Sequence, residues 1–166
     1  MTSEPLRLRQ LLERLRAAEV DFVLVGGLAV NAWGYLRATR DIDLVPDPSS
    51  ENLQRLDDLL TELGGRVEVG DRLLQSSAIR TFLRTGDRTL VLTELGRIDV
   101  LQGLPQIPAF AALDERAIQI DIDGLGVKVC SLEDLLEMKR RSDRPRDKDD
   151  LEALRNARER QGPGAG

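Results

Sequence analysis

The chain has 166 residues, 41% of them hydrophobic and 32% charged, with a formal net charge of −5 and no histidine. That length and apolar content suit one compact domain with a real core and exclude a disordered chain. The missing histidine removes Ser-His-Asp and Cys-His catalysis, histidine zinc sites and imidazole bases together, so chemistry falls to carboxylates, Lys, Arg, Tyr, Ser or a carboxylate-held metal.

Along the chain, Pro5 to Ala18 reads as an amphipathic helix, with Leu8, Leu11, Leu12 and Leu15 at helical spacing. Asp21 to Val25 is a short β-rich run ending at Gly26-Gly27. A helix is expected over about Leu28 to Tyr35, then a strand from Arg40 to Val45, stopped by Pro46 and Pro48. Ser49 or Ser50 caps a helix to Leu63, with Leu53, Leu56, Leu60 and Leu63 inward and Gly64-Gly65 closing it. Strands are expected at 67–69, 78–83, 89–95 and 97–101. Phe110 to Arg116 reads as a short helix. Ala117 to Ile122 and Leu125 to Val129 read as a hairpin around Asp123-Gly124. Ser131 caps a helix to about Arg141, Asp143-Arg144-Pro145 breaks it, and a last helix covers Asp147 to about Arg158.

These elements mix without a regular βαβ alternation, which favours an α/β or α+β domain on a mixed sheet over a doubly wound one. The expected organisation is one domain over residues 1–160, with a core at about 20–130 and C-terminal helices at 131–158. The Gly/Pro-rich tail 161–166 is expected to be disordered. No apolar run approaches the roughly 18 residues that span a bilayer. The start MTSEPLRLRQ carries no signal-peptide core, and Cys130 has no partner for an internal disulfide, so the expected location is cytoplasmic. The acidic balance argues against a broad nucleic-acid surface, although arginines near the C-terminus leave a local one open.

The residues that carry chemistry begin with Asp41 and Asp43. Two residues apart on a strand, they point to one face while Ile42 points to the other. Two carboxylates so close raise one another's proton affinity unless a cation lies between them, and Mg²⁺ suits such sites. Asp99, in RIDVL, is a third acid on another strand; if that strand adjoins the first, the three could hold two metals for in-line phosphoryl or nucleotidyl transfer. A strand of merely exposed aspartates is the plainer alternative. Gly26 and Gly27, between strand and helix, would let backbone N–H groups approach a phosphate, or would only make a tight turn. Neither a dinucleotide fingerprint nor a Walker-type loop is present. Arg37, Thr39 and Arg40 lie just before the aspartates: Arg40 could neutralise phosphate or hold Asp41, and Thr39 could bond backbone or a phosphate oxygen. Lys139 falls on the apolar face with Leu132, Leu135 and Leu136. It either sits over phosphate with Arg144 or pairs at the core edge with Asp150 or Asp147. Trp33 and Tyr35 either stack a base or pack the short helix, and Cys130 reads as a core residue.

The order strand, GG, short helix, R-x-T-R-D-I-D-L and a later I-D-V-L resembles the DNA polymerase β nucleotidyltransferase superfamily. The block Leu132 to Leu154, with M-K-R and R-P-R-D-K-D-D-L, is similar to its AbiEii/AbiGii-type branch, associated with abortive infection and type IV toxin–antitoxin systems. The resemblance implies a nucleotidyltransferase fold, a mixed twisted sheet flanked by helices with a C-terminal helical segment. It implies Mg²⁺ (or Mn²⁺)-dependent transfer of a nucleoside monophosphate from an NTP such as ATP to a tRNA, protein or small-molecule acceptor. Under it, Asp41, Asp43 and Asp99 bind metal, and Asp99 also helps deprotonate the acceptor. Gly26 and Gly27 hold the triphosphate, and Lys139 contacts its phosphates. The branch further implies an antitoxin partner. Two alternatives stand beside it: a non-catalytic module of the same fold in a toxin–antitoxin or regulatory complex, and a metal-dependent phosphohydrolase using the same carboxylates.

Overall fold

The computed structural model describes residues 4–33, 41–142 and 145–161. The leucine stripe near the N-terminus forms α1 (Glu4–Ala17), whose Leu11 and Leu15 are fully buried. A left-handed Glu19 turns the chain into β1 (Phe22–Val25), followed by α2 (Gly26–Ala32) and β2 (Asp41–Pro46). Then come α3 (Ser50–Glu62), β3 (Arg66–Val69), β4 (Arg72–Leu74), a single 3₁₀ turn, α4 (Ile79–Thr85), β5 (Asp87–Thr93) and β6 (Gly96–Gln102). The chain continues with α5 (Phe110–Arg116), β7 (Ile118–Ile122), β8 (Leu125–Val129), α6 (Leu132–Arg141) and α7 (Pro145–Gln161).

The strands form one mixed eight-stranded sheet in the order β4-β3-β5-β6-β2-β1-β8-β7. The pairs β2–β6 and β1–β8 are parallel and the others antiparallel. One face of the sheet is the core. Leu24, Ile42, Leu44, Ile98, Val100, Val91 and Val129 sit there at 0% exposure. On this scale each such side chain contributes about 1.5–3 kcal/mol of burial. Alternation puts Asp41, Asp43 and Asp99 on the opposite face. Among the described residues no helix is long and apolar enough to cross a membrane.

The mixed α/β class and the flanking helices are as expected, and most elements lie within a residue or two of their expected bounds. The clear error is residues 78–83, expected as a strand and found in α4. Ile79, Thr81 and Phe82 have strand-like side chains, but burial follows a helical step: Ile79 and Leu83 are inward while Arg80, Thr81 and Arg84 are exposed. Tertiary packing against α3 overrides local preference here. Strand β4 was not expected, and α2 starts at Gly26, two residues early. In α3, Leu53 is only half-buried, while Leu59 and Asn52 are inward. Asn52 rotates the helix face by donating from Nδ2 to the carbonyls of Asp21 (2.8 Å) and Asp47 (2.9 Å) and accepting from the Asp21 N–H at 2.7 Å. The hairpin around Asp123-Gly124 forms as expected, with both turn residues at positive φ (51° and 86°). Of the expected tail 161–166, Gln161 is the last residue of α7, and 162–166 lie outside the described residues.

Candidate active site

The sheet register builds the site. In the parallel β2–β6 pair, Asp43 lies directly opposite Asp99, and Asp41 opposite Arg97. In the antiparallel β1–β2 pair, Val25 faces Asp43. The row continues through Leu90 of β5 and Glu68 of β3. The adjacency that Asp99 needed is therefore present. Ile42 and Leu44 anchor β2 in the core, and Ile98 and Val100 do the same for β6, so the aspartates stand on rigid strands.

Gly26 closes the site from the β1 side. Its φ is +68°, a left-handed conformation that favours glycine. A Cβ at this position would fall on the Asp43 carboxylate. Glycine is required twice over here, by backbone conformation and by the approach of Asp43. Gly26 and Gly27 both line a cavity of about 400 Å³ together with Asp41, Asp43, Asp99, Arg88, Lys139, Ser142 and Asp147. Apart from Gln106, its remaining wall is apolar: Val25, Leu101, Leu104, Ile107, Leu135 and Met138.

The electrostatics are unbalanced. The Asp43 pKa is raised from 3.8 to about 6, chiefly by burial, then by the charges of Asp99 and Asp41. Arg88 and Lys139 offset only part of this. Asp99, 5% exposed, is gripped by the Arg88 fork. Arg97 bonds Glu68 and approaches Asp41 at 3.8 Å. Among the described residues no three acidic side chains converge as a ready-made metal cage. The donor chemistry nonetheless fits a hard divalent cation: Asp41, Asp43 and Asp99 offer carboxylate oxygens, and a cation between Asp43 and its neighbours would offset the burial cost and the repulsion that together raise its pKa.

The other end of the cavity is set by α6 and α7. Ser131 caps α6 by accepting from the Asp134 N–H at 3.1 Å. Arg116 of α5 forks the Asp134 carboxylate at 2.9 and 2.8 Å and so fixes where α6 starts. Lys139, 6% exposed, donates from Nζ to Asp147 Oδ1 at 2.9 Å and is ion-paired with Asp150 Oδ2 at 2.9 Å; the two acids are 1% exposed. Ser142 Oγ also donates to Asp147. Lys139 thus reaches the cavity already paired with both of the acids weighed for it.

Thr39, Arg40 and Arg144, and also Tyr35 and Arg37, lie outside the described residues. Trp33 donates from its indole to the Cys130 carbonyl at 3.1 Å, which locks α2 against the end of β8. Cys130 is fully buried, and burial pushes its thiol pKa up to about 12. Sequence reasoning missed Arg88, Ser142 and the loop residues Leu104 and Ile107. Arg88 lies on the strand next to Asp99, beside its partner Leu90, and only the register between strands reveals it.

With this geometry in hand, the chain can be compared with known proteins. Residues 5–162 match the family described as nucleotidyl transferase of unknown function (DUF2204). No curated protein matches the sequence. Among solved structures, the lincosamide antibiotic adenylyltransferase LnuA with bound lincomycin is 18% identical, with a TM-score of 0.64 over 91% of this chain and 96% of that one. ANT(2″)-Ia in complex with adenylyl-2″-tobramycin is 19% identical, with a TM-score of 0.61 over 97% and 91%. An antigenic nucleotidyltransferase-like protein from Paracoccidioides brasiliensis is 20% identical, with a TM-score of 0.64 over 99% and 80%. At these identities the likeness is one of fold.

Proposed function

Because the chain belongs to the DUF2204 nucleotidyl transferase family, we propose that it moves a nucleoside monophosphate from an NTP such as ATP to a hydroxyl of a small-molecule acceptor. The observation that carries this is the register of Asp43 opposite Asp99, with Asp41 alongside and Gly26 closed against Asp43. Asp41, Asp43 and Asp99 are the residues to hold Mg²⁺ or Mn²⁺. Such a cation supplies charge neutralisation at the phosphate oxygens and lowers the proton affinity of an attacking hydroxyl.

The chain's own residues do the rest. Gly26 and Gly27 bring backbone close enough for a triphosphate to lie along the start of α2. Asp99 takes the acceptor proton as the acceptor oxygen bonds to the α-phosphorus. The bond from that phosphorus to the bridging oxygen breaks, and pyrophosphate leaves. Leu101, Leu104, Ile107 and Met138 keep water from one side of the cavity and offer an apolar wall to a base or acceptor. Lys139, with Thr39, Arg40 and Arg144, completes the proposed phosphate contacts.

A small acceptor is favoured because LnuA and ANT(2″)-Ia, named for antibiotic acceptors, align over 96% and 91% of their own chains. A chain of this size can therefore carry such a fold whole. The likeness of Leu132–Leu154 to the AbiEii/AbiGii branch supports a second reading, a toxin that modifies tRNA or protein and has an antitoxin partner. Growth arrest on induced expression, relieved by Asp43→Asn, would favour that reading.

The test of the first reading is thermal. Mg²⁺ or Mn²⁺ with one of the four NTPs raises the melting temperature of the wild-type chain, and Asp43→Asn abolishes the shift. If no NTP with either cation shifts the wild-type chain, the proposal fails. Function that survives in Asp43→Asn would instead mark a non-catalytic binding module.

A further inference from the structure

Asp99 is nearly buried, yet both of its oxygens are occupied. Arg88 Nε donates to Oδ1 at 3.0 Å and Oδ2 at 2.9 Å, and Nη2 donates to Oδ2 at 2.7 Å. The Arg88 side chain is 52% exposed. The side chain lines the cavity while half of its surface stays open to solvent. A guanidinium does not give up its proton in a protein. It can leave Asp99 only by swinging away, and a side chain 52% exposed is not walled in against that.

We propose that Arg88 is a positioning residue: it holds Asp99 as a stand-in cation and makes divalent-cation binding depend on the nucleotide. The inference rests on the cation reading given above and deepens it. Guanidinium and divalent cation compete for the same carboxylate and repel each other at close range. A cation arriving alone must push the fork into water and forfeit its three charge-assisted contacts. A cation arriving with a triphosphate offers the displaced fork phosphate oxygens, whose geometry a guanidinium matches. Nucleotide therefore strengthens cation binding and, by reciprocity, cation strengthens nucleotide binding.

The experiment is Mn²⁺ binding by electron paramagnetic resonance on the full chain at pH 8, with and without an α,β-methylene NTP analogue. Wild type is compared with Arg88→Gln and Arg88→Ala, two ways of removing the charge from a half-exposed position. Both variants are expected to bind Mn²⁺ alone about tenfold more tightly than wild type, and the enhancement given by the analogue is expected to shrink by a similar factor. If both variants bind Mn²⁺ alone no more tightly than wild type, the role assigned to Arg88 is wrong while the carboxylate cation site stands. If wild type binds no Mn²⁺ with or without the analogue, the cation site itself is overturned, and Arg88 with it.

Discussion

Two clusters of charge share one cavity, and they are built in opposite ways. At one end Lys139 lies between Asp147 and Asp150, all three almost fully buried, each acid 2.9 Å from the ammonium. At the other end Asp41, Asp43 and Asp99 crowd together, with Arg88 on Asp99 and Arg97 3.8 Å from Asp41, and the Asp43 pKa still rises to about 6. The first cluster joins two helices, with each acid ion-paired to the one ammonium. The second is left short of positive charge at the point where two strands and a glycine turn hold it rigidly. A carboxylate whose pKa is raised by burial and by like charges is a better pointer to ligand binding than one held against an ammonium.

That contrast can be broken from either side. The largest effect is expected at the unbalanced end: Asp43→Asn lowers nucleotidyl transfer roughly a thousandfold, measured as pyrophosphate release per mole of folded protein. Next comes the lysine end. Lys139→Met leaves two carboxylates buried beside an apolar side chain and is expected to cost about 3–5 kcal/mol in urea unfolding. A cost below about 1 kcal/mol would show that the triad is not what secures α7.

The third effect has the opposite sign. The folded-state pKa of Asp43 lies above its ordinary 3.8, at about 6. The folded protein therefore takes up this proton more readily than the unfolded chain, and ionised Asp43 disfavours the fold. That penalty is present in full above about pH 6 and fades as the pH falls toward 4. Asp43→Asn is expected to stabilise the cation-free protein by about 2–3 kcal/mol at pH 8. The gain should vanish near pH 4 in paired thermal melts. The variant with the least activity would then be the more stable protein, as expected where charges are crowded for function.

The smallest effect in stability is Gly26→Ala. The φ of +68° costs an alanine about 1–2 kcal/mol. Its more telling consequence is displacement of Asp43 by the new Cβ, read as weaker Mn²⁺ binding in the presence of nucleotide. Gly70, also at positive φ but with open space around it, is the control: Gly70→Ala should show the strain without the loss of cation affinity.

The sequence made the carboxylate half of this comparison legible and left the arginine half hidden. Asp41 and Asp43 declare a shared face by their spacing alone. Asp99 does so only conditionally, since its partner strand is chosen by packing, and the parallel β2–β6 pairing supplies that condition. Lys139 was visible through the apolar stripe of its own helix, and both candidate partners were close in sequence. Arg88 was not visible. It neighbours Asp99 only through the antiparallel β5–β6 register, eleven residues away across a turn. Residues 78–83 failed for a related reason: Ile79 and Phe82 suit a strand locally, and contact with α3 decides otherwise. Pattern along the chain carried the fold class and the acids, whereas contacts between elements set the charge balance.

The most direct measurement is transfer from α-labelled NTP with Mg²⁺ or Mn²⁺, run against a panel of hydroxyl-bearing small molecules, total RNA and the chain itself. The account predicts label on an acceptor with stoichiometric pyrophosphate from the wild-type chain, label on a small molecule rather than on RNA or protein, and neither product from Asp43→Asn. Release of inorganic phosphate in place of pyrophosphate, or equal labelling by wild type and Asp43→Asn, would contradict it.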